Sequence, residues 1–388
     1  MSVYTNVLPS PRKFRIKRVN PTGFSDKLNS LRSLNLFNEF NTFSTKRYSP
    51  KDYFDVFLSA GLHQTSIKSM AHHLRNKEFF APSSEQIMLR CRHISKEKAT
   101  TLTNVMLGNF YKALPAKFRR QLSKSGVLII DFHQDPYYGD PSNPDIIKSK
   151  TKKSTNYFYE YLTAQAYSKF GSQTIAVIPR VRGKPIVSHI QELFSHVQKI
   201  FRPKLLLMDG EFTNFDIITY LNSLEIPFIA RKSRTVSVKS AINRICLDSN
   251  WNKNKKWHRI LTRKGGSRKH YLPLDIIPTK VYGQIKVLCK SPNLNISPGK
   301  AEHIYGWRFN IETGYRDQHL VQPRIKSKVF STRILVFVIA IFLWNVWQYA
   351  RWAMNWSKNA YKKWSTNKKI AWSLLILKIT IITEGIWT

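Results

Sequence analysis

Apolar and polar positions alternate in different ways along this chain, and the changes mark its parts. Residues 1–46 are basic and rich in Ser, Asn and Pro with weak periodicity, which reads as an extended arm. From residue 50 to about 115 the apolar positions fall at helical spacing. Ser49 and Pro50 open a segment (KDYFDVFLSA) ended by Gly61. Thr65 or Ser66 caps a second helix (IKSMAHHLRN), and Ser83 or Ser84 a third (EQIMLRCRHIS). Three short helices with a glycine turn match a helix-turn-helix. Arg90, Arg92, His93, Lys96 and Lys98 then lie at and just beyond the end of the third helix, as a DNA-facing element requires. A plain helical bundle with a solvated basic face fits the same pattern.

After Gly126 the period shortens. GVLIIDF is a β-branched apolar run, read as a strand ending at Asp131. Tyr157 to Ala166 and Gln173 to Ile178 read as two more strands, and Ser188 begins a helix. LLLMD is a buried strand ending at Asp209, Thr213 opens a helix, and Ile226 to Ala230 is a further strand. The order strand, strand, strand, helix, strand, helix, strand predicts an α/β fold: a ribonuclease-H-like mixed sheet with helices on both faces. From about Ser233 to Ala301 acids nearly vanish and short alternating runs recur between turns such as Gly265-Gly266 and Pro292-Asn293, giving a basic, β-rich insertion. Ile334 to Ala350 carries no charge. Its length approaches a membrane span, but Asn345 and Gln348 within it favour a buried core helix. Residues 358–388 are basic and then apolar, and suit a packing helix or strand.

Composition narrows the class. With 388 residues and 42% hydrophobic content, the chain can bury a core and hold two or three domains. Lys+Arg number 63 against 23 acids, a net charge of +40 spread over the whole length. Such a charge calls for a polyanionic partner, and nucleic acid is the default. The three cysteines, Cys91, Cys246 and Cys289, are widely spaced and odd in number with no C-x-x-C pair, which argues against a disulfide framework and a zinc finger and fits free thiols in a reducing cytosol. The first 20 residues hold no apolar stretch of the kind a signal peptide needs.

In so basic a chain, three acids stand out. Asp131 and Asp209 close predicted strands that neighbour each other in the expected sheet, at the edge where ligands collect in open α/β sheets. Asp135 and Asp140 compete with Asp131, but the apolar run Val127 to Ile130 leads straight into Asp131, and Asp135-Pro136 reads as a turn. The third acid is Glu312, in YGWRFNIE. There Tyr305, Arg308 and Glu312 stand at i, i+3 and i+7, one face of a helix. Three carboxylates are hard ligands for Mg²⁺ or Mn²⁺, and two ions at one site suit phosphodiester chemistry. Each acid alone is as well explained as a turn or cap residue; Glu211 reads as a solvated loop acid rather than an extra ligand.

These motifs, in this order, resemble the DDE transposases of prokaryotic insertion sequences, in the branch marked Y-x2-R-x3-E-x6-K. Here the signature falls on Tyr305, Arg308 and Glu312, with His319 where the family has Lys. VLIIDFHQDPYYGD is similar to the first-Asp motif, and LLMDGEF with IPFIARK to the second, except that Gly210-Glu211 stand where an Arg is frequent. The resemblance covers about residues 50–350. It implies that Asp131, Asp209 and Glu312 hold two Mg²⁺ or Mn²⁺ ions, and that Tyr305 and Arg308 contact end phosphates. Arg316 or Arg324 would make up for His319. Trp251 or Trp257 would stack on a flipped base, although both, like Trp307, equally suit core packing. It further implies double-stranded DNA as substrate, a homodimer on DNA, no membrane, and a cytoplasmic, nucleoid-associated place in a prokaryote. The expected domains are a basic arm (1–46), a helical DNA-binding domain (47–120), a catalytic core in two parts (121–232 and 302–356) around the insertion (233–301), and a C-terminal segment (357–388). Two other classes share these features: an inactive, transposase-derived sequence-specific DNA-binding protein, and a nuclease without strand transfer.

Overall fold

The structure, a computed structural model, describes residues 45–353 apart from 46, 249, 252, 254, 264–270 and 282–283. The expected C-terminal segment, nearly all of the basic arm and the Gly265-Gly266 turn lie outside these residues. The described chain opens with helices α1 (Pro50–Leu62), α2 (Ile67–Asn76), α3 (Ser84–Arg92), α4 (Lys96–Ala113) and α5 (Ala116–Ser125). Their starts follow capping chemistry: Ser66 Oγ accepts from Ser69 N–H at 3.0 Å and Ser83 Oγ from Gln86 N–H at 3.3 Å. Gly61 does not end α1. It lies inside the helix, where a Cβ would meet Val321 O at 2.6 Å and Leu343 Cδ1 at 2.8 Å, so it serves close packing. Gly126 ends α5 in the left-handed region (φ +63°) and feeds directly into the first strand.

Nine strands form one mixed sheet: β1 (Val127–Pro136), β2 (Ile147–Lys152), β3 (Thr155–Ser168), β4 (Gly171–Pro179), β5 (Leu205–Met208), β6 (Phe228–Arg231), β7 (His258–Arg263), β8 (Tyr271–Val281) and β9 (Gln284–Lys290). The order is β2-β3-β1-β5-β6-β9-β8-β7, with β4 also paired to β3. The β1–β5 and β5–β6 pairs are parallel, and the other pairs are antiparallel. Helices α6 (Ile186–Val197) and α7 (Phe215–Ser223) connect β4 to β5 and β5 to β6. Helix α8 (Val236–Cys246) and β7–β9 follow, so the basic insertion widens the same sheet. Then come α9 (Pro298–Tyr305), one 3-10 turn (Gly306–Arg308), α10 (Phe309–His319) and α11 (Phe330–Ala353).

The continuous apolar runs of β1 and β5 are explained by burial on both faces. Leu128, Ile130, Leu206 and Met208 join one cluster with Ile190 and Leu193 of α6 and Ile217 of α7. Val127, Ile129, Leu205 and Leu207 join another with Ile304 of α9 and Ile311 and Tyr315 of α10. The structure corrects one strand boundary and adds one strand. β1 does not stop at Asp131; it runs to Pro136, and Asp135-Pro136 is no turn but pairs with Tyr159 and Phe158. β2 has no apolar face to betray it, since it reads IKSKTK and is largely exposed. The expected single helix from Tyr305 to Glu312 is also broken, by the 3-10 turn that carries Arg308.

Helix α11 is long and apolar enough to cross a membrane, yet 94% of its most apolar window is buried inside the protein. It packs on α1, α3, α4, α10 and β4. Its Asn345 has a specific task. Among the described strands β4 pairs only with β3, which leaves an edge to be satisfied. Asn345 Oδ1 accepts from Thr174 N–H (2.9 Å) while its Nδ2 donates to Thr174 O (2.8 Å). Asn104 of α4 does the same for Val177, at 2.9 and 2.8 Å. Two buried amides thus complete the edge of β4. Replacing Asn345 with Leu would strand one buried N–H and one buried C=O, each costing about 1–3 kcal/mol. The expected loss for N345L is therefore about 2–5 kcal/mol in urea unfolding; a value near zero would show that the edge is satisfied in another way.

Candidate active site

The sheet itself brings the two aspartates together. β1 and β5 pair in parallel at Val127–Leu205, Leu128–Leu206 and Ile129–Leu207. Continuing that register by two residues sets Asp131 opposite Asp209, and strand alternation turns both toward the face on which α9 and α10 pack. Glu312 lies in the first turn of α10. Tyr315, one turn further, pins this helix to the strands: its hydroxyl donates to Asp131 O at 3.1 Å and lies 2.5 Å from Thr163 Oγ1.

Arg308 stands between the acids. Its Nη1 donates to Asp131 Oδ2 (3.2 Å) and its Nη2 to Glu312 Oε1 (2.6 Å). The arginine side chain is only 4% exposed, Asp131 is 16% and Glu312 47%, so the site opens to solvent on the Glu312 side. Arg308 Nε is buried with no hydrogen-bond partner. Tyr305 Oη approaches Asp209 Oδ1 at 3.5 Å, the one hydrogen bond to that carboxylate among the described residues. Burial lifts the Asp131 carboxyl to about 7; Arg308 opposes this, while the neighbouring charges of Asp209 and Glu312 add to it. Burial also lifts the Tyr305 phenol, so it stays a hydrogen-bond donor.

Among the described residues no group of three His, Cys, Asp or Glu side chains is spaced to hold a metal ion. The guanidinium explains this spacing, since it is wedged between Asp131 and Glu312 as their shared cation. The donor chemistry nonetheless suits a hard divalent ion: three carboxylates, mutually repelling, around one positive group with an unsatisfied edge.

The competing acids are otherwise engaged. Asp135 is buried and faces Arg333 at 3.4 Å, and Asp140 holds Ser142 N–H and Oγ at 2.9 and 2.7 Å. Glu211 is not a free loop acid, because Arg180 bridges it (3.1 Å) to buried Glu160 (2.5 Å). Arg180 also lies 4.9 Å from the Phe132 ring, which stacks on Phe212. Hence Arg180 ties the turn after Asp209 to the strands around Asp131. No sequence spacing hinted at this.

His319 turns away from the carboxylates: its Nδ1 meets Gln322 Oε1 at 2.9 Å and its ring lies 5.1 Å from that of buried His133. Arg316 is exposed on α10. Arg324 is exposed too, its backbone bonded to Thr65 beside α2. Trp257 is a packing residue; Nε1 donates to Ile296 O at 2.7 Å and Lys290 Nζ lies 5.2 Å from the ring. Trp251 is half-buried in the turn after α8, and Trp307 packs 5.6 Å from Tyr167. Arg90 and Arg92 end α3, which packs on α2 and α11, so they are not brought to the carboxylates.

A basic cleft of about 700 Å³ lies at the end of β6, lined by Arg231, Lys232, Arg234 and Lys286 with no acid among its lining residues. Because Met208 pairs with Ala230, Arg231 is the residue opposite Asp209 in register. Lys232 is anchored through Nζ to Thr213 O at 2.5 Å. The signal for this cleft, the cluster RKSR after IPFIA, was present in the sequence.

No family model matches this sequence, and no curated protein matches it either.

The electrostatics make a prediction. Asp131 titrates near 7 when folded and near 3.8 when unfolded, so the folded state binds the extra proton between those values. Stability therefore falls as pH rises from about 4 to 7, and the loss is complete above 7. In chelated, metal-free buffer Asp131→Asn should exceed the wild type in melting temperature at pH 8, by at most the order of 4 kcal/mol in stability. At pH 4 the two should match. A wild type as stable as D131N at pH 8 would contradict the strained carboxylate.

Proposed function

We propose that this chain is a transposase of the DDE type, cutting DNA at the terminal inverted repeats of its own element and joining the freed 3′ ends to target DNA. The observation that carries this reading is the meeting of Asp131, Asp209 and Glu312 around Arg308, from two parallel strands in register and the helix packed over them. The strand order β4-β3-β1-β5-β6, with α6 and α7 as the parallel connections, supports a ribonuclease-H-like core. A net charge of +40 and the acid-free cleft beside Asp209 support a DNA substrate. The helices α1–α3 would recognise the repeats, and two chains would hold two ends.

Asp131, Asp209 and Glu312 would bind two Mg²⁺ or Mn²⁺ ions, which when bound activate the attacking oxygen and stabilise the leaving one. In the first step water attacks the phosphorus at the element end, the P–O3′ bond breaks, and a 3′-hydroxyl and a 5′-phosphate result. In the second, that 3′-hydroxyl attacks a target phosphorus, one P–O bond replacing another. Tyr305 and Arg308 orient the phosphate; a planar guanidinium suits two phosphate oxygens as it suits two carboxylates. Arg308 must then leave its carboxylates as DNA arrives.

A second reading, a transposase-derived DNA-binding protein without activity, is favoured by one observation: Arg308 already neutralises two of the three acids. Two measurements separate them. With Mg²⁺ and the DNA flanking its own reading frame, the wild type should nick at a repeat boundary and give joined products, and Asp209→Ala should give neither. Binding without metal-dependent cutting would support the inactive reading. Without DNA, Arg308→Ala should bind Mn²⁺ about tenfold more tightly than wild type, the equivalent of ~1.4 kcal/mol of relieved repulsion. Unchanged Mn²⁺ affinity would show that the guanidinium does not guard the site.

A further inference from the structure

The hairpin of β2 and β3 stands apart from every role assigned above. Lys148, Lys150, Lys152 and Lys153 are all exposed, and no acid occurs between Ile146 and Tyr159. Among the described residues none of the four is in an ion pair, whereas Arg180, Lys184 and Lys290 are held by Glu160, Glu192 and Asp275. The turn is unusual in a second way. Lys152 pairs with Thr155, so Lys153 and Ser154 form a two-residue turn, and both have positive φ, 51° and 62°. Gly or Asn would adopt that turn with less strain, and a lysine held there costs about 1 kcal/mol or more. Strain of this kind persists where the side chain is needed. Tyr138 clasps the turn: its hydroxyl donates to Lys153 O at 2.7 Å while the side chain remains 61% exposed.

The hairpin also lies on the β3 side of the strand that carries Asp131. A register shift between Lys148 and Lys152 bends β2, and Lys152 Nζ reaches Gln134 Oε1 at 2.9 Å. Gln134 is on β1, about 10 Å along the strand from Asp131 and on the opposite face of the sheet. Gln134 Nε2 in turn bonds Glu160 Oε1 at 2.6 Å, the acid held by Arg180. The four lysines and one exposed ring thus lie on the side of β1 away from the basic cleft of Arg231 and Lys286.

We infer that the β2–β3 hairpin clamps the phosphodiester backbone of the DNA strand leading into the carboxylate site, with Lys148, Lys150, Lys152 and Lys153 on phosphates and Tyr138 stacked on an unpaired base. This rests on the proposed DNA substrate. Lysines are suited to the task as mobile point charges that follow a backbone without reading sequence, and a tyrosine ring offers a face to any base.

The test is lysine acetylation footprinting of the full chain in EDTA, with and without a duplex that ends in a short single strand. The hairpin lysines should lose reactivity when DNA is added. In the variant K150Q/K153Q the slope of log affinity against log salt should fall by about 2, since each lost phosphate contact removes about 0.9. Tyr138→Leu should bind the single-stranded end about tenfold less tightly, while Tyr138→Phe should bind it as the wild type does. Circular dichroism and the melting temperature of each variant check that the fold is kept. If lysines elsewhere are protected and the hairpin's are not, or the salt slope is unchanged, the clamp is overturned and the DNA reading stands. If no lysine is protected at all, both fall.

Discussion

The site depends on one arginine placed among acids that cannot otherwise coexist. Asp131 is largely withdrawn from water, and Asp209 and Glu312 stand close enough to oppose its ionisation. A buried carboxylate without a partner costs several kcal/mol, or else it stays protonated. Arg308 offsets part of this cost by bonding Asp131 and Glu312 together, although burial still lifts the Asp131 carboxyl to about 7, and its own burial is tolerable because those charges surround it. In one straight helix Tyr305, Arg308 and Glu312 would share a face, but the 3-10 turn tightens the backbone at Arg308, and the three side chains still meet Asp209, Asp131 and each other.

The frame around the site is fixed from the opposite direction, by α11. A helix so apolar is stable here because it is covered by the N-terminal helices on one side and β4 on another, and a single apolar cluster runs from Tyr48 to Ala353 through all of them. Its polar residues are not concessions to solvent. Asn345, with Asn104 of α4, supplies the donors and acceptors that the edge of β4 lacks. The N-terminal helices are thereby fastened to the sheet through backbone-specific bonds as well as through apolar area. Phe337 of α11 stacks on His133, two residues beyond Asp131, at 4.5 Å and 4°. The helix thus links the edge of the sheet to the strand that carries the acid.

What was legible in the sequence was what burial dictates. Runs buried on both faces, such as VLII and LLLM, gave the central strands, and Ser66 and Ser83 gave helix starts through ordinary capping. What was not legible came from pairing rather than burial. β1 continues past Asp131 because β3 pairs with it as far as Phe158, although its residues there are polar. β2 exists because β3 is long enough to carry two strands, β2 and β4, on one flank. The three acids could be selected from their places at the ends of apolar runs, but their distances could not. Those are set by Arg308 and Tyr315, which depend on how α10 meets the sheet. Trp257 and His319 show the converse: residue types suited to DNA whose contacts here are with Ile296, Lys290 and Gln322.

The distribution of charge ties these parts together. A chain with 63 basic residues and 23 acids can place its acids almost anywhere only at the cost of weakening its field for a polyanion. Several of them are instead held in pairs: Asp275 with Lys290 and Arg259, Glu160 with Arg180, Glu302 with Lys255, Asp145 with Lys96. Paired acids leave the outer field positive. Asp209 is in no such pair among the described residues; it has only the 3.5 Å approach of Tyr305, and it lies next in register to Arg231 of the acid-free cleft. On the proposed reading this contrast is functional. A phosphate drawn in by the surrounding cations would meet carboxylates that repel it, and that repulsion is relieved only by divalent ions lying between them. Binding of DNA and binding of metal are then coupled by electrostatics alone. Arg308 is the group that must exchange partners when both arrive, passing from carboxylate to phosphate.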